Sequence, residues 1–385
     1  MAFLHHRRAG SWRYAHEVAR HLAGRSDISL LLIDEEGSEG FSDLPCERYH
    51  LPRPMGRLGK FILPNLLLPR ALSERIGVEL LHVVTPYGCA FPTLPVPQVV
   101  TIHDLSPLTF PQGSSRMQRV HFRRLLPLIL RRSRAIVTHT TCVAEAISQR
   151  FPGLAGRIHV IPPGIPSLPI PAGGVPAGRP FALHVGTTEP RKGMEILLDA
   201  FRAFPLDLYL VGEILDRTRI EREIERRGLG GRVRLLGFLP DAELARLYRR
   251  ATFLVVASRC EGFGFPPLEA MRAGLPVVAS PASAALREVL GPAALWAPGS
   301  DAAALQEGMR RMLRSRETRE HFIAAGKAWT DRYGWERFCD RIERLYHAVV
   351  SGPPRGEGSS APMPFSQLPD ALQKETPRKR EIGTA

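Results

Sequence analysis

Short apolar runs alternate with amphipathic stretches along most of this chain. Residues 30–33, 80–84, 99–103 and 135–139 are apolar runs of strand length. Runs that are apolar on both faces belong to the buried strands of a parallel sheet. Between them, residues 14–22, 116–132 and 142–150 repeat apolar side chains at helical spacing. A further strand is expected at 158–161. It leads into residues 162–180, which hold seven prolines and four glycines and support no regular element.

The second half repeats the alternation. Strands are expected at 181–186, 206–212, 233–238, 253–257, 276–279 and 294–297. Helices are expected at 193–202, 218–227, 241–250, 268–273 and 302–313, and a last amphipathic helix at 335–350. Strand and helix in regular succession mean β-α-β units, so each half reads as a doubly wound, Rossmann-like parallel sheet in an α/β protein. The expected division is an N-terminal domain at 1–165, a linker at 166–180 and a C-terminal domain at 181–330. Residues 351–385, rich in Pro, Gly, Ser and charge, are expected to be disordered. In open sheets of this kind ligands bind beyond the carboxyl ends of the strands, and the cleft between two such domains is the default site.

Composition fits this picture. The chain has 385 residues, too many for one ordinary core, and is 44% hydrophobic and 23% charged, which excludes a disordered chain. It holds no uninterrupted apolar stretch long enough to cross a membrane, and residues 1–8 lack the apolar core of a signal peptide. The five cysteines are scattered, with no C-x-x-C pair, so neither a zinc site nor a disulfide framework is suggested and a reducing cytoplasm is the simplest compartment. The net charge is +14, and 47 of the 52 basic residues are arginine. An arginine-rich genome accounts for that as well as an anionic partner does.

Chemistry concentrates in loops that follow expected strands. The richest is Glu261–Gly262–Phe263–Gly264–Phe265–Pro266–Pro267–Leu268–Glu269. Its glycines let backbone amides approach a ligand closely. Two prolines suit the first turn of a helix, whose free amides attract phosphate. Two carboxylates flank that turn, Glu269 in the first helical turn, and carboxylates accept hydrogen bonds from sugar hydroxyls. A second loop, Gly186–Thr187–Thr188–Glu189–Pro190–Arg191–Lys192–Gly193, places two cations ahead of a helix, where the dipole disfavours them unless an anion is near. Arg191 and Lys192 are suited to neutralise a diphosphate leaving group. Gly10, ahead of the first helix, and His103, at the end of the strand 99–103, are weaker signals. His82, His139 and His184 lie within strands and read as structural. No Asp-x-Asp triplet occurs, so no metal-bridged diphosphate and no cofactor is expected.

These motifs in this order resemble the retaining glycosyltransferases of family 4, which have the GT-B fold. The resemblance spans roughly residues 9–350. Glu261 to Glu269 looks like the family's paired-glutamate element, Gly186 to Gly193 like its donor-phosphate loop, Thr101–Ile102–His103–Asp104 like its histidine segment, and Ile161–Pro162–Pro163–Gly164–Ile165 like its linker entry with proline in place of asparagine. The resemblance implies that two Rossmann-like domains face each other across a cleft and that the helix at 331–350 crosses back onto the N-terminal domain. It implies a catalytic set of His103, Glu261, Arg191 and Lys192. Donor contacts would come from Gly10, Gly186, Thr187, Gly212, Phe238, Leu239, Gly262, Phe263, Gly264, Phe265, Leu268 and Glu269. Glu261 would face the transferred sugar and Glu269 the ribose. The reaction would retain configuration, usually by front-face attack, with Glu261 as a covalent nucleophile the less favoured route. Only Ala2–Phe3–Leu4 is apolar ahead of Gly10, so the family's first strand is either short or begins upstream of Met1.

The resemblance implies a nucleotide-diphosphate hexose as donor, of GDP-mannose type with UDP-sugars close behind, and as acceptor a saccharide or lipid-linked saccharide in cell-surface polysaccharide synthesis. Seven arginines between 116 and 134, interleaved with apolar residues, suggest peripheral contact with anionic membrane. They fit an ordinary surface helix equally well, with Pro127 dividing it. The other readings are an inactive scaffold subunit of the same fold and a nucleotide-sugar epimerase. A nucleic-acid partner is not expected, because no aromatic-basic stacking motif accompanies the charge.

Overall fold

The computed structural model describes residues 10–35, 41–51, 67–70, 72–74, 77–90, 94–169 and 179–352. The apolar segment ahead of Gly10 and the tail after residue 352 lie outside the described residues. In the N-terminal half, β1 (Leu31–Glu35) pairs in parallel with β2 (Glu47–Leu51). A second parallel sheet has the order β3-β4-β5-β6, formed by Leu81–Val83, Gln98–Thr101, Ala135–Thr138 and Ile158–Val160. β2, Glu-Arg-Tyr-His-Leu, alternates polar and apolar residues without an apolar run and is not among the strands expected from the pattern. The first helix begins at Gly10, a turn earlier than expected, and runs to Leu22.

The C-terminal half is one six-stranded parallel sheet. Its strands are β7 (Phe181–Val185), β8 (Asp207–Val211), β9 (Val233–Gly237), β10 (Phe253–Val256), β11 (Val277–Ala279) and β12 (Leu295–Trp296). The order is β12-β11-β10-β7-β8-β9. The strand order reverses between the parallel strands β7 and β10, so the loops leaving these two strands diverge to opposite faces and open a crevice. β7 feeds the Gly186–Gly193 loop and β10 the loop carrying Glu261. The sheet's topology thus brings together two motifs that lie about seventy residues apart.

Two corrections to the expected elements matter for the site. The helix after Glu261 starts at Phe265, with Pro266 in its first turn and Gly264 as N-cap at φ 94°. Glu269 therefore sits in the second turn, not the first. A helix at Arg316–Thr330, capped by Ser315, fills a stretch left without an element by the sequence pattern. The last helix, Trp335–Ser351, buries Trp335, Phe338, Cys339, Ile342, Leu345 and Val349 in one cluster with Tyr14, Ala15, Val18, Ala19 and Leu22 of the first helix. It thereby straps the end of the chain onto the N-terminal half. Burying each larger side chain contributes about 1.5–3 kcal/mol.

The arginine-rich stretch is one helical run in three registers: Arg116–Val120, a π-helical turn at His121–Leu125, and Leu126–Arg132. Pro127 has no N–H to give the preceding turn, and the wider π turn sits where that bond would be missing. Phe122, Leu126, Ile129 and Leu130 are spent on the core of the N-terminal half. What this run offers outward is mostly charge, with Val120 as the exposed large apolar side chain among it.

Candidate active site

The crevice at the carboxyl ends of β7 and β10 is held by an ion cluster. Glu261 lies between both cations of the opposite loop. Lys192 Nζ donates to its Oε1 at 2.6 Å and Arg191 Nη1 to its Oε2 at 3.1 Å. Ser258 Oγ donates to Oε1 at 2.8 Å. Arg191 also donates to Glu189 at 2.6 Å and to the Cys260 carbonyl at 3.1 Å. The cost of two cations ahead of a helix is thus offset by carboxylates of the protein itself. Burial alone would raise the Glu261 pKa, but Lys192 and Arg191 hold it down at about 2. Although burial opposes its charge, Glu261 and Glu189 keep the Arg191 guanidinium above its ordinary pKa.

Glu269 is the second carboxylate, 3% exposed. Tyr248 Oη donates to its Oε2 at 3.1 Å. Its Oε1 lies 3.1 Å from Arg13 Nη1 of the first helix, yet it is buried and makes no hydrogen bond. The pair therefore attracts by charge while the oxygen's lone pairs stay open. Burial pushes the Glu269 pKa up, and Arg13 opposes that. Thr187 Oγ1 is likewise buried without a hydrogen bond. Native proteins rarely leave such groups unsatisfied, so both mark positions for a polar ligand.

The N-terminal half closes the other side. His103 follows β4 and His139 follows β5. His103 Nε2 lies 2.9 Å from the Val84 carbonyl, so it carries the proton and donates. Its Nδ1 lies 2.9 Å from His139 Nε2, which donates to it when both rings are neutral and then leaves His139 Nδ1 no proton for the Ile161 carbonyl 3.4 Å away. Burial lowers both pKa values, which favours that neutral pair. With both nitrogens engaged, His103 does not serve as a proton acceptor in this arrangement. A Cβ on Gly262 would overlap the His103 carbonyl oxygen, so glycine there lets the two halves meet. Thr140 Oγ1 donates to the Gly262 carbonyl at 3.2 Å, and the amides of Thr141 and Cys142 donate to Glu288.

Together these groups wall a cavity of about 1220 Å³. From the C-terminal half it is lined by Gly186, Thr187, Arg191, Lys192, Gly212, Phe238, Leu239, Glu261, Gly262, Phe263, Gly264, Phe265 and Glu269, and from the N-terminal half by Gly10 and His103. Leu268 alone of the expected donor contacts does not line it; its side chain is fully buried in the core beneath the turn. Arg13, His139, Asp104 and Asp241 line the cavity without having been expected there. Arg13 carried one local signal, a cation in the first turn of a helix, which calls for an anion. His139 carried the same signal as His103, a histidine closing a parallel strand, and was read as structural. Among the described residues no group of three or more His, Cys, Asp or Glu side chains is arranged to hold a metal ion.

Comparison with known proteins places this geometry. Residues 8–167 match the model of Glycosyltransferase Family 4, and residues 170–329 that of Glycosyl transferases group 1. The chain is 31% identical over 370 residues to O-antigen chain mannosyltransferase B of Escherichia coli, covering 88% of this chain and 95% of that one. Sucrose-phosphate synthase of Thermosynechococcus elongatus superposes with a TM-score of 0.72 at 22% identity, covering 89% of this chain and 94% of that one. Anabaena Alr3699/HepE in complex with UDP and glucose gives a TM-score of 0.72 at 20% identity, with 90% and 99% covered. The chain belongs to the group 1 glycosyl transferases of glycosyltransferase family 4, and it is a hexosyltransferase with the GT-B fold.

Proposed function

We propose that this chain transfers mannose from a nucleotide-diphosphate sugar, with retention, to a saccharide on a lipid carrier during assembly of a cell-surface polysaccharide. The observation that carries this reading is the Arg191–Lys192–Glu261 cluster at the switch point, beside the buried, unbonded oxygens of Glu269 and Thr187. The diphosphate would share Arg191 and Lys192 with Glu261, and their charge would offset the negative charge that develops as the anomeric bond breaks. No metal or cofactor is required in this scheme. Support for mannose comes from the name of the Escherichia coli relative. A glucose donor on UDP is the second reading, favoured by the ligands of the Anabaena neighbour.

Front-face attack, in which a donor phosphate oxygen takes the acceptor's proton, suits Glu261 as found. Both of its oxygens are engaged by Lys192, Ser258 and Arg191, and a carboxylate with a pKa near 2 is a poor covalent nucleophile. The Glu261 carboxylate would instead stabilise positive charge at the anomeric carbon. No described helix is long and apolar enough to cross a membrane. Work at the inner face of the cytoplasmic membrane would therefore rest on surface charge.

The test is a transfer assay with GDP-mannose and UDP-glucose in which the anomeric configuration of the product is read by NMR. The expected result is one accepted donor and retained configuration. Arg191→Ala and Lys192→Ala should each lower kcat/KM by roughly 10²–10³ with the fold intact. Full activity in Glu261→Ala, Arg191→Ala and Lys192→Ala together would show the site to be elsewhere.

A further inference from the structure

We propose that Arg13 is a positioning residue of the donor site, supplied by the N-terminal domain, that holds the buried Glu269 carboxylate as an ionised acceptor for the donor's ribose hydroxyls. The inference rests on the nucleotide-sugar reading of the cavity. It adds that the nucleoside end of the site is complete only when the two domains are apposed.

Three observations carry it. Arg13 bridges two carboxylates of the opposite domain, with Nη1 3.1 Å from Glu269 Oε1 and Nη2 donating to Asp241 Oδ2 at 3.0 Å. All three residues line the cavity. The oxygen facing Arg13 is buried and makes no hydrogen bond, so it is a spare acceptor that a hydroxyl reaches when the groups covering it give way. Arg13 also stands in the first turn of its helix, where the dipole disfavours a cation; the two carboxylates across the cleft offset that cost.

The charged and titratable groups facing Glu269 are Arg13 from the first helix, Asp241 and Tyr248 from the helix Asp241–Arg250, and Arg272 on its own helix. Arg272 is turned to the carbonyls of Ile165, Thr330 and Tyr333. Burial and Asp241 both favour the protonated carboxyl, and Arg13 is the cation set closest against them. A carboxylate accepts a hydroxyl hydrogen bond about twice as strongly as a neutral carboxyl does. Without Arg13, Glu269 takes up a proton at higher pH and holds the ribose less well.

The experiment is calorimetric titration of the full chain and of Arg13→Met, Arg13→Lys, Glu269→Gln and Arg13→Met/Glu269→Gln. The probes are UDP, GDP and inorganic pyrophosphate, from mildly acid to mildly alkaline pH. Arg13→Met should weaken the nucleoside diphosphate on the order of tenfold near neutral pH and move the acid limb of its affinity to higher pH. Arg13→Lys should restore that limb. Glu269→Gln should abolish it, and the double variant should bind no worse than Glu269→Gln. Pyrophosphate, which reaches only Arg191 and Lys192, should bind Arg13→Met as it binds the parent. Weakening of both probes alike, an unmoved acid limb, or tighter nucleoside binding in Arg13→Met would overturn the proposal. Absence of UDP and GDP binding to the parent chain would instead sink the nucleotide-sugar reading on which it stands.

Discussion

Glu261 is an anion held between two cations before any substrate arrives, and this sets what its neighbours' removal should do. Its folded pKa, near 2, lies below the unfolded value, so its contribution to stability is present above about pH 4.5 and is lost as pH falls toward 2. Between pH 7 and 5 the parent protein should therefore show no change in midpoint from this group. In the Arg191→Ala/Lys192→Ala double variant the buried carboxylate keeps only the Ser258 hydroxyl and no cation, and desolvation should lift its pKa above the unfolded value. The sign reverses. That variant should become more stable as pH falls from 7 to 5, measured by thermal unfolding; a flat profile would contradict the pairing. Glu261, Arg191 and Lys192 were legible in the sequence because each motif is a local loop with its own turn chemistry. Arg13 and His139 were not. Their partners, Glu269 and His103, lie 256 and 36 residues away, and no local pattern records a pairing made by the fold.

At the scale of elements, the site depends on two loops of the C-terminal sheet meeting one strand end of the N-terminal sheet. Gly262 is the point of contact, where a side chain would overlap the His103 carbonyl. Gly262→Ala should therefore hold the domains apart. Donor binding to the C-terminal half should persist within a few fold while kcat falls on the order of a hundredfold, as expected when reacting groups are displaced by about 1 Å. Equal loss of binding and turnover would argue that Gly262 serves the donor alone. The inner strands β7, β8, β10 and β11 could be read from sequence because they are buried and nearly all apolar, while the half-buried edge strand β9 still carries an apolar run. β2 could not, since Arg48 and His50 interrupt it. The helix Arg316–Thr330 is weakly marked for a related reason: its fully buried positions are Gly326 and Thr330, and Phe322, Ala325 and Trp329 pack on the core only half-buried. The helix begins at Phe265, three residues before the expected 268, because Gly264 in a left-handed conformation is the cap and both prolines lie inside the first turn.

For the whole molecule, charge and domain pairing were visible in composition and length, but the use made of the charge was not. The arginine-rich run spends most of its apolar residues on the core and leaves Arg116, Val120, Arg123, Arg124, Arg131 and Arg132 exposed. Attachment to an anionic surface would then be electrostatic. The chain should sediment with vesicles containing phosphatidylglycerol at low salt, release as salt rises and ignore zwitterionic vesicles. Arg123→Glu/Arg124→Glu should weaken that binding on the order of tenfold or more, and equal binding by the variant would move the surface elsewhere. The proposed donor site is the cleft, where the Arg191, Lys192 and Glu261 cluster lines one cavity with Arg13 and Glu269. Its most direct test is a thermal unfolding screen of the parent chain and the Arg191→Ala/Lys192→Ala variant against GDP- and UDP-sugars. One nucleotide sugar should raise the midpoint of the parent saturably, a gain of about 2.7 kcal/mol at a hundred times its Kd, and leave the variant unmoved. If no nucleotide sugar shifts the parent, or the variant shifts equally, the account of this site is wrong.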